Sequence, residues 1–215
     1  MKIKQLLYPQ RCKKCGKDLP PGQFILCPDC LAKGGYWLYD KFTVEGADAA
    51  DAPLVYRDFV RGAMHAYKFQ HRRAYADWFA QLAGDCLQGY LDCWKPDFIT
   101  FVPLSWLRWM KRGYNQSGLA AKLVARRFAL PCKRVLRKRA FVRVQSSLPH
   151  EARAQNIKGA FRLCRGAGLQ GKRVLLIDDV ITTGATAAEC VRMLRAAGAE
   201  AVFVLSLTKT PVLRR

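Results

Sequence analysis

Acidic residues are scarce in this 215-residue chain: 16 Asp plus Glu stand against 37 Lys plus Arg, a formal net charge of +21 at pH 7. That deficit favours a polyanionic partner, whether nucleic acid, anionic lipid headgroups or a heavily phosphorylated small molecule, and charge alone does not choose among them. Long hydrophobic runs are also missing. The longest, around Phe98 to Leu107, is too short to cross a bilayer and contains a proline. Met1 to Pro9 lacks the apolar stretch of a signal peptide, so a cytoplasmic protein is expected, reaching the inner face of the membrane only through partners. Histidine is rare, and His65 and His71 have no metal-like pairing with a third ligand. What is not scarce is apolar character: 51% hydrophobic content agrees with a folded chain long enough for one α/β core and a small appendage.

Cysteine is present in an odd number, nine, and is unevenly placed. Cys86, Cys93, Cys132, Cys164 and Cys190 are scattered, whereas Cys12, Cys15, Cys27 and Cys30 form two CxxC knuckles with turn residues Gly16, Pro20, Pro21 and Gly22 between them. In a reducing compartment this pattern points to metal binding over a disulfide framework. Two thiolates from each turn complete a closed tetrahedral Cys₄ zinc site with no open position for chemistry, so the zinc should be structural. A redox pair or unrelated surface thiols are the competing readings. Lys13, Lys14, Lys17 and Lys33 surround the cysteines, either to contact phosphates or to offset thiolate charge.

The segment richest in chemistry runs from 174 to 186. Val174 to Ile177 is aliphatic throughout, as in a strand buried on both faces of a parallel sheet. Asp178 and Asp179 fall at its carboxyl end, where open α/β sheets bind ligands, and adjacent carboxylates there can accept hydrogen bonds from neighbouring sugar hydroxyls. Thr182, Thr183, Gly184, Ala185 and Thr186 then supply small side chains and a helix start, which together can cradle a phosphate. There is no Lys after the glycine and no repeated glycine, so neither familiar nucleotide-loop pattern applies. A strand, turn and capped helix without a ligand is the bland alternative, but an N-cap needs a single Ser, Thr or Asp and leaves the acidic pair unexplained.

These thirteen positions resemble the phosphoribosyl-diphosphate loop of type I phosphoribosyltransferases. The resemblance implies that Asp178 and Asp179 bind the ribose 2′ and 3′ hydroxyls, that Thr182 to Thr186 hold the 5′-phosphate, and that the ligand is the magnesium complex.

In the middle of the chain, helical periodicity predicts two amphipathic helices between Tyr56 and Tyr90. Lys68, His71, Arg72 and Arg73 punctuate their junction and read as a solvated basic turn in preference to an anion site. A strand is expected over Asp97 to Leu104, then a loop whose Arg108, Lys111, Arg112 and Gly113 could hold a second phosphate, then a helix from Ser117 to Phe128. Lys133 to Arg143 packs Lys133, Arg134, Arg137, Lys138, Arg139 and Arg143 around Phe141. Such a strip suits closure over a diphosphate, or a strand of DNA with Phe141 or Trp109 stacking a base, or plain solvation.

Val102-Pro103-Leu104 followed by Arg112 to Ser117, then Gln145, Leu148, Arg153, Asn156 and Phe161, the 178 to 186 loop and the Cys₄ module are together similar to the ComF family of competence proteins. The similarity implies a type I phosphoribosyltransferase-like parallel sheet flanked by helices behind a zinc finger. The expected organisation is residues 1–42 as zinc module, 43–95 as a helical hood-like or linking segment, and 96–215 as core. It implies binding of phosphoribosyl diphosphate with Arg112, Gly113, Arg137, Lys138 and Arg139 on the diphosphate side. It also implies single-stranded DNA handling in natural transformation, beside an uptake helicase or other competence proteins. An active phosphoribosyltransferase in nucleotide salvage or sugar utilisation is the alternative; no general base is evident, and no residue set specifies an acceptor base.

Overall fold

The computed structural model of the protein describes residues 11–19, 25–38, 40–70, 72–139 and 157–211. His71, Pro20, Pro21, Gly22, Phe141, Arg143, Gln145, Leu148, Arg153, Asn156 and the stretch 1–9 lie outside the described residues. Along the described chain run α1 (Pro28–Lys33), β1 (Ala49–Asp51), β2 (Leu54–Val55), α2 (Asp58–Phe69), α3 (Tyr75–Gln88), α4 (Leu91–Trp94) and β3 (Phe98–Phe101). They are followed by α5 (Trp106–Arg112), α6 (Gln116–Arg127), β4 (Leu136–Lys138), β5 (Phe161–Leu163), β6 (Arg173–Ile181), α7 (Ala185–Ala196) and β7 (Ala201–Lys209).

A parallel sheet in the order β1-β7-β6-β3 forms the centre, with β2 also pairing to β7. The aliphatic run of β6 explains its central place: Val174, Leu175, Leu176 and Ile177 are all fully buried. Leu175 and Ile177 join one apolar cluster with α2, α3 and α6. Val174 and Leu176 join a second with α7, β4 and β5 on the opposite face. Alternation therefore sends successive side chains into different layers, and each layer is apolar. Each buried Leu or Ile contributes roughly 1.5–3 kcal/mol of transfer free energy.

Register brings the carboxyl ends together. Phe101 pairs with Ile177, and Ile177 with Leu205, so β3 ends beside Asp178 and Ser206 while β6 and β7 continue paired to Ile181 and Lys209. The amino-terminal four-cysteine module packs on the first layer, where Tyr36 lies 6.2 Å from the Phe59 ring and Phe59 lies edge-on to Trp78.

Two sequence expectations are revised in detail. The segment 43–95 carries the two expected helices, α2 and α3, but also lends β1 and β2 to the sheet beside β7. The expected loop after β3 contains the helix α5, ended by Gly113 at φ 71° in the left-handed region that glycine adopts without strain. Trp-Leu-Arg-Trp-Met-Lys-Arg has no glycine or proline to oppose a helical turn, yet buries nothing that periodicity could reveal.

Candidate functional site

At the carboxyl edge of β6 and β3 lies a cleft of about 150 Å³ whose walls include Asp178, Asp179 and Thr186 together with Lys68, Arg108, Arg112, Ser117 and Lys138. Four cations and two carboxylates share this space, a balance suited to a ligand carrying several negative charges and free hydroxyls.

Asp178 is 6% exposed, and its carboxyl is pushed up to about 7, chiefly by burial and then by the like charge of Asp179. The backbone amide of Asp179 donates to Asp178 Oδ1 at 2.8 Å, and Lys68 and Ser117 favour the ionised form without overcoming burial. Asp179 Oδ1 accepts from Lys68 Nζ at 2.7 Å in a pair whose side chains are both about one-sixth exposed. Lys68 comes from the last turn of α2, 111 positions away in sequence. The basic junction read as a solvated turn thus sends one of its cations into the site. No local pattern marks Lys68; only the packing of α2 against the sheet edge does.

Beyond β6 the chain turns through Thr182, Thr183 and Gly184, and Gly184 at φ 84° opens α7 with no side chain capping it. Thr183 Oγ1 accepts from the Ala185 amide at 3.4 Å. Thr182 and Thr183 are exposed, and Thr186, in the first turn of α7, is the member of this turn that lines the cleft beside the carboxylates. Lys209, nearly buried at the end of β7, donates to the Thr182 carbonyl at 3.0 Å and to the Thr210 carbonyl at 2.8 Å. Burial lowers its pKa, and these carbonyls are the partners that hold its charge. Sequence reading missed Lys209; a lysine closing an otherwise apolar and hydroxylated strand is the one signal it left.

The stretch from Arg112 to Ser117 interlocks the opposite wall. Arg112 donates to Gln116 Oε1 at 3.1 Å and lies 4.6 Å over the Phe69 ring. Burial lowers its pKa while Asp179 opposes that effect. The Tyr114 hydroxyl donates to the Tyr67 carbonyl, and the Tyr67 hydroxyl donates to the Gln116 carbonyl at 2.9 Å. Asn115 caps α6 by accepting from the Gly118 amide at 3.0 Å and ties back to the Val102 carbonyl. These bonds seat Ser117 against Asp178.

Of the residues assigned to the diphosphate side, Arg112 and Lys138 line the cleft. Lys138 sits 5.3 Å from the Phe161 ring, its pKa lowered by burial and by Arg108. Arg137 on β4 and Arg139 just after it are exposed and line no part of it, and Gly113 serves as the α5 terminator.

At the other end of the chain the Sγ atoms of Cys12, Cys15, Cys27 and Cys30 lie within 4.8 Å of one another. Cys15 and Cys27 Sγ are 3.7 Å apart, close to the roughly 3.8 Å edge of a tetrahedron with Zn–S bonds near 2.3 Å. Burial raises the Cys12 pKa, but amides of Cys27, Cys15 and Lys14 outweigh it and bring the thiol down to about 6. Cys30 goes the other way, up to about 12, through desolvation and through hydrogen bonds with the other three cysteines. Four adjacent thiols cannot all ionise unaided, and a divalent cation at their centre resolves the conflict. The cluster can hold a metal such as zinc.

Residues 117–211 match the family described as Phosphoribosyl transferase domain. A glutamine phosphoribosylpyrophosphate (PRPP) amidotransferase structure from B. subtilis is 25% identical with a TM-score of 0.45, covering 67% of this chain and 30% of that one. Over most of their lengths, two curated proteins are similar. DNA utilization protein YhgH of Escherichia coli K12 is 34% identical over 93% of this chain and 84% of its own. Competence protein F of Haemophilus influenzae is 29% identical over 92% of this chain and 84% of its own. The chain belongs to the ComF family, with a type I phosphoribosyltransferase parallel sheet flanked by helices and a four-cysteine cluster in front.

Proposed function

We propose that the cleft binds phosphoribosyl diphosphate as its magnesium complex and that the protein handles single-stranded DNA in the cytoplasm during DNA uptake. One observation carries the first part: two adjacent carboxylates at a buried strand end open onto a cleft with four cations and a small-residue helix start. Asp178 and Asp179 take the ribose hydroxyls, Thr182 to Thr186 the 5′-phosphate, and Arg108, Arg112 and Lys138 the diphosphate. Lys68 holds Asp179 until the hydroxyls replace it. Binding is the activity assigned.

Three supports underlie the second part: the +21 charge, the names of the E. coli and H. influenzae relatives, and the exposed basic residues outside the cleft. The four cysteines hold zinc as a structural ion that stabilises residues 1–42. The 43–95 segment covers the site from the side of Lys68 and shares the sheet and core with the strands and helices that follow it. Isothermal calorimetry with magnesium and phosphoribosyl diphosphate tests the cleft. Heat of binding in the wild type that disappears in Asp178→Asn/Asp179→Asn is the expected result; no heat in the wild type refutes it.

A further inference from the structure

We propose that α5 is the platform on which single-stranded nucleic acid lies at the mouth of the cleft; this rests on the DNA-handling reading above and gives it a surface. Among the described residues, the exposed large hydrophobic side chains are Phe69, Trp106, Leu107, Trp109 and Met110, from 45% to 64% exposed. Four of these five belong to α5, and the fifth ends α2 beside it. A seven-residue helix with no fully buried side chain gains little from its own packing. A contiguous apolar patch of that kind marks an interaction site.

Its chemistry selects the occupant. Arg108, Lys111 and Arg112 are interleaved with the aromatics, and α5 contains no acidic residue. The Trp106 and Trp109 rings lie 5.2 Å apart at 19°, a nearly parallel pair, and the Arg112 guanidinium covers Phe69. Flat aromatic faces for bases beside cations for phosphates are what sequence-tolerant single-strand binding requires. Duplex DNA hides its base faces and gains nothing from the tryptophans. Arg108 and Arg112 also form a wall of the cleft, so a strand on α5 runs directly to the ribose-phosphate site. A bilayer resting on the same face is the competing occupant, but it would make no use of the continuity of Arg108 and Arg112 with the cleft, which a nucleic-acid strand follows.

Fluorescence anisotropy with labelled oligothymidylate of about 20 nucleotides, longer than the site of one single-strand-binding fold, tests this. The zinc-loaded full chain should bind with affinity that falls steeply as salt rises, and Trp106→Ala/Trp109→Ala should weaken binding by about tenfold or more, as loss of base stacking requires. The same variant should keep its melting temperature and its calorimetric response to phosphoribosyl diphosphate. Lys111→Gln, a milder change, should lower the log–log salt slope by about 0.7. A wild type that does not bind, or binds without salt dependence, overturns the DNA reading itself. A salt-dependent wild type with unchanged affinity in the tryptophan variant and unchanged slope in Lys111→Gln overturns the placement on α5 alone. Loss of sedimentation with phosphatidylglycerol vesicles in the tryptophan variant, with oligonucleotide binding intact, assigns α5 to a membrane and overturns it as well.

Discussion

Replacing Asp178 by Asn should stabilise the ligand-free protein while removing its ligand site. The carboxyl titrates near 3.8 in an unfolded chain and is raised to about 7 in the folded one by burial and by Asp179. The folded state therefore binds the proton more tightly. Asp178 contributes fully to stability below pH 3.8, and that contribution is lost as pH rises to and through about 7. At 1.36 kcal/mol per pH unit, the gap amounts to about 4 kcal/mol at pH 8, an upper figure because Lys68 attraction is lost in the variant too. Between pH 6 and pH 8 the same arithmetic gives on the order of 1 kcal/mol, which for a chain of this size is a fall in Tm of roughly 2–4 °C. Thermal melts of wild type and Asp178→Asn across that range, followed by tryptophan fluorescence with zinc present, read the difference. The two curves should diverge as pH rises, with the variant the more stable. Parallel curves would show that burial does not perturb Asp178 and would refute the reasoning.

Lys68→Met should cost about 3 kcal/mol, since it removes the cation paired directly with the part-buried Asp179, and it should move the Asp178 transition to higher pH in the same melts. Lys209→Met should preserve the fold but weaken phosphoribosyl-diphosphate binding about tenfold by calorimetry, the equivalent of one charge-assisted hydrogen bond on the Thr182 carbonyl. Chelation should unfold the cysteine module before the sheet, seen as early hydrogen exchange within residues 11–38, and Cys15→Ser should lose bound metal by native mass spectrometry.

How far these features could be read from sequence depended on how local their causes are. β6 was legible because four consecutive aliphatic residues are a signature of a strand with two buried faces, and the acidic pair and small-residue turn follow directly. The Cys₄ cluster was legible because metal geometry restricts spacing. α2 and α3 showed their apolar faces at helical period. β1 and β2 did not show themselves: they are three and two residues long and exist through pairing with β7, about 150 positions later. Lys68 reaches Asp179 through tertiary packing, and a charge run carries no sign of which member turns inward. α5 reads as a loop from sequence because periodicity detects burial and α5 has no fully buried side chain. The two tryptophans that make it informative are visible only as exposed once the fold is known.

The central claim is that a phosphoribosyl group lies on the loop from Asp178 to Thr186. Hydrogen-exchange mass spectrometry on the zinc-loaded protein, with and without magnesium and phosphoribosyl diphosphate, tests it at the residues concerned. Slower exchange in peptides covering Asp178 to Ala187, absent in Asp178→Asn/Asp179→Asn, is the predicted result. Unchanged exchange there at saturating ligand would contradict the account.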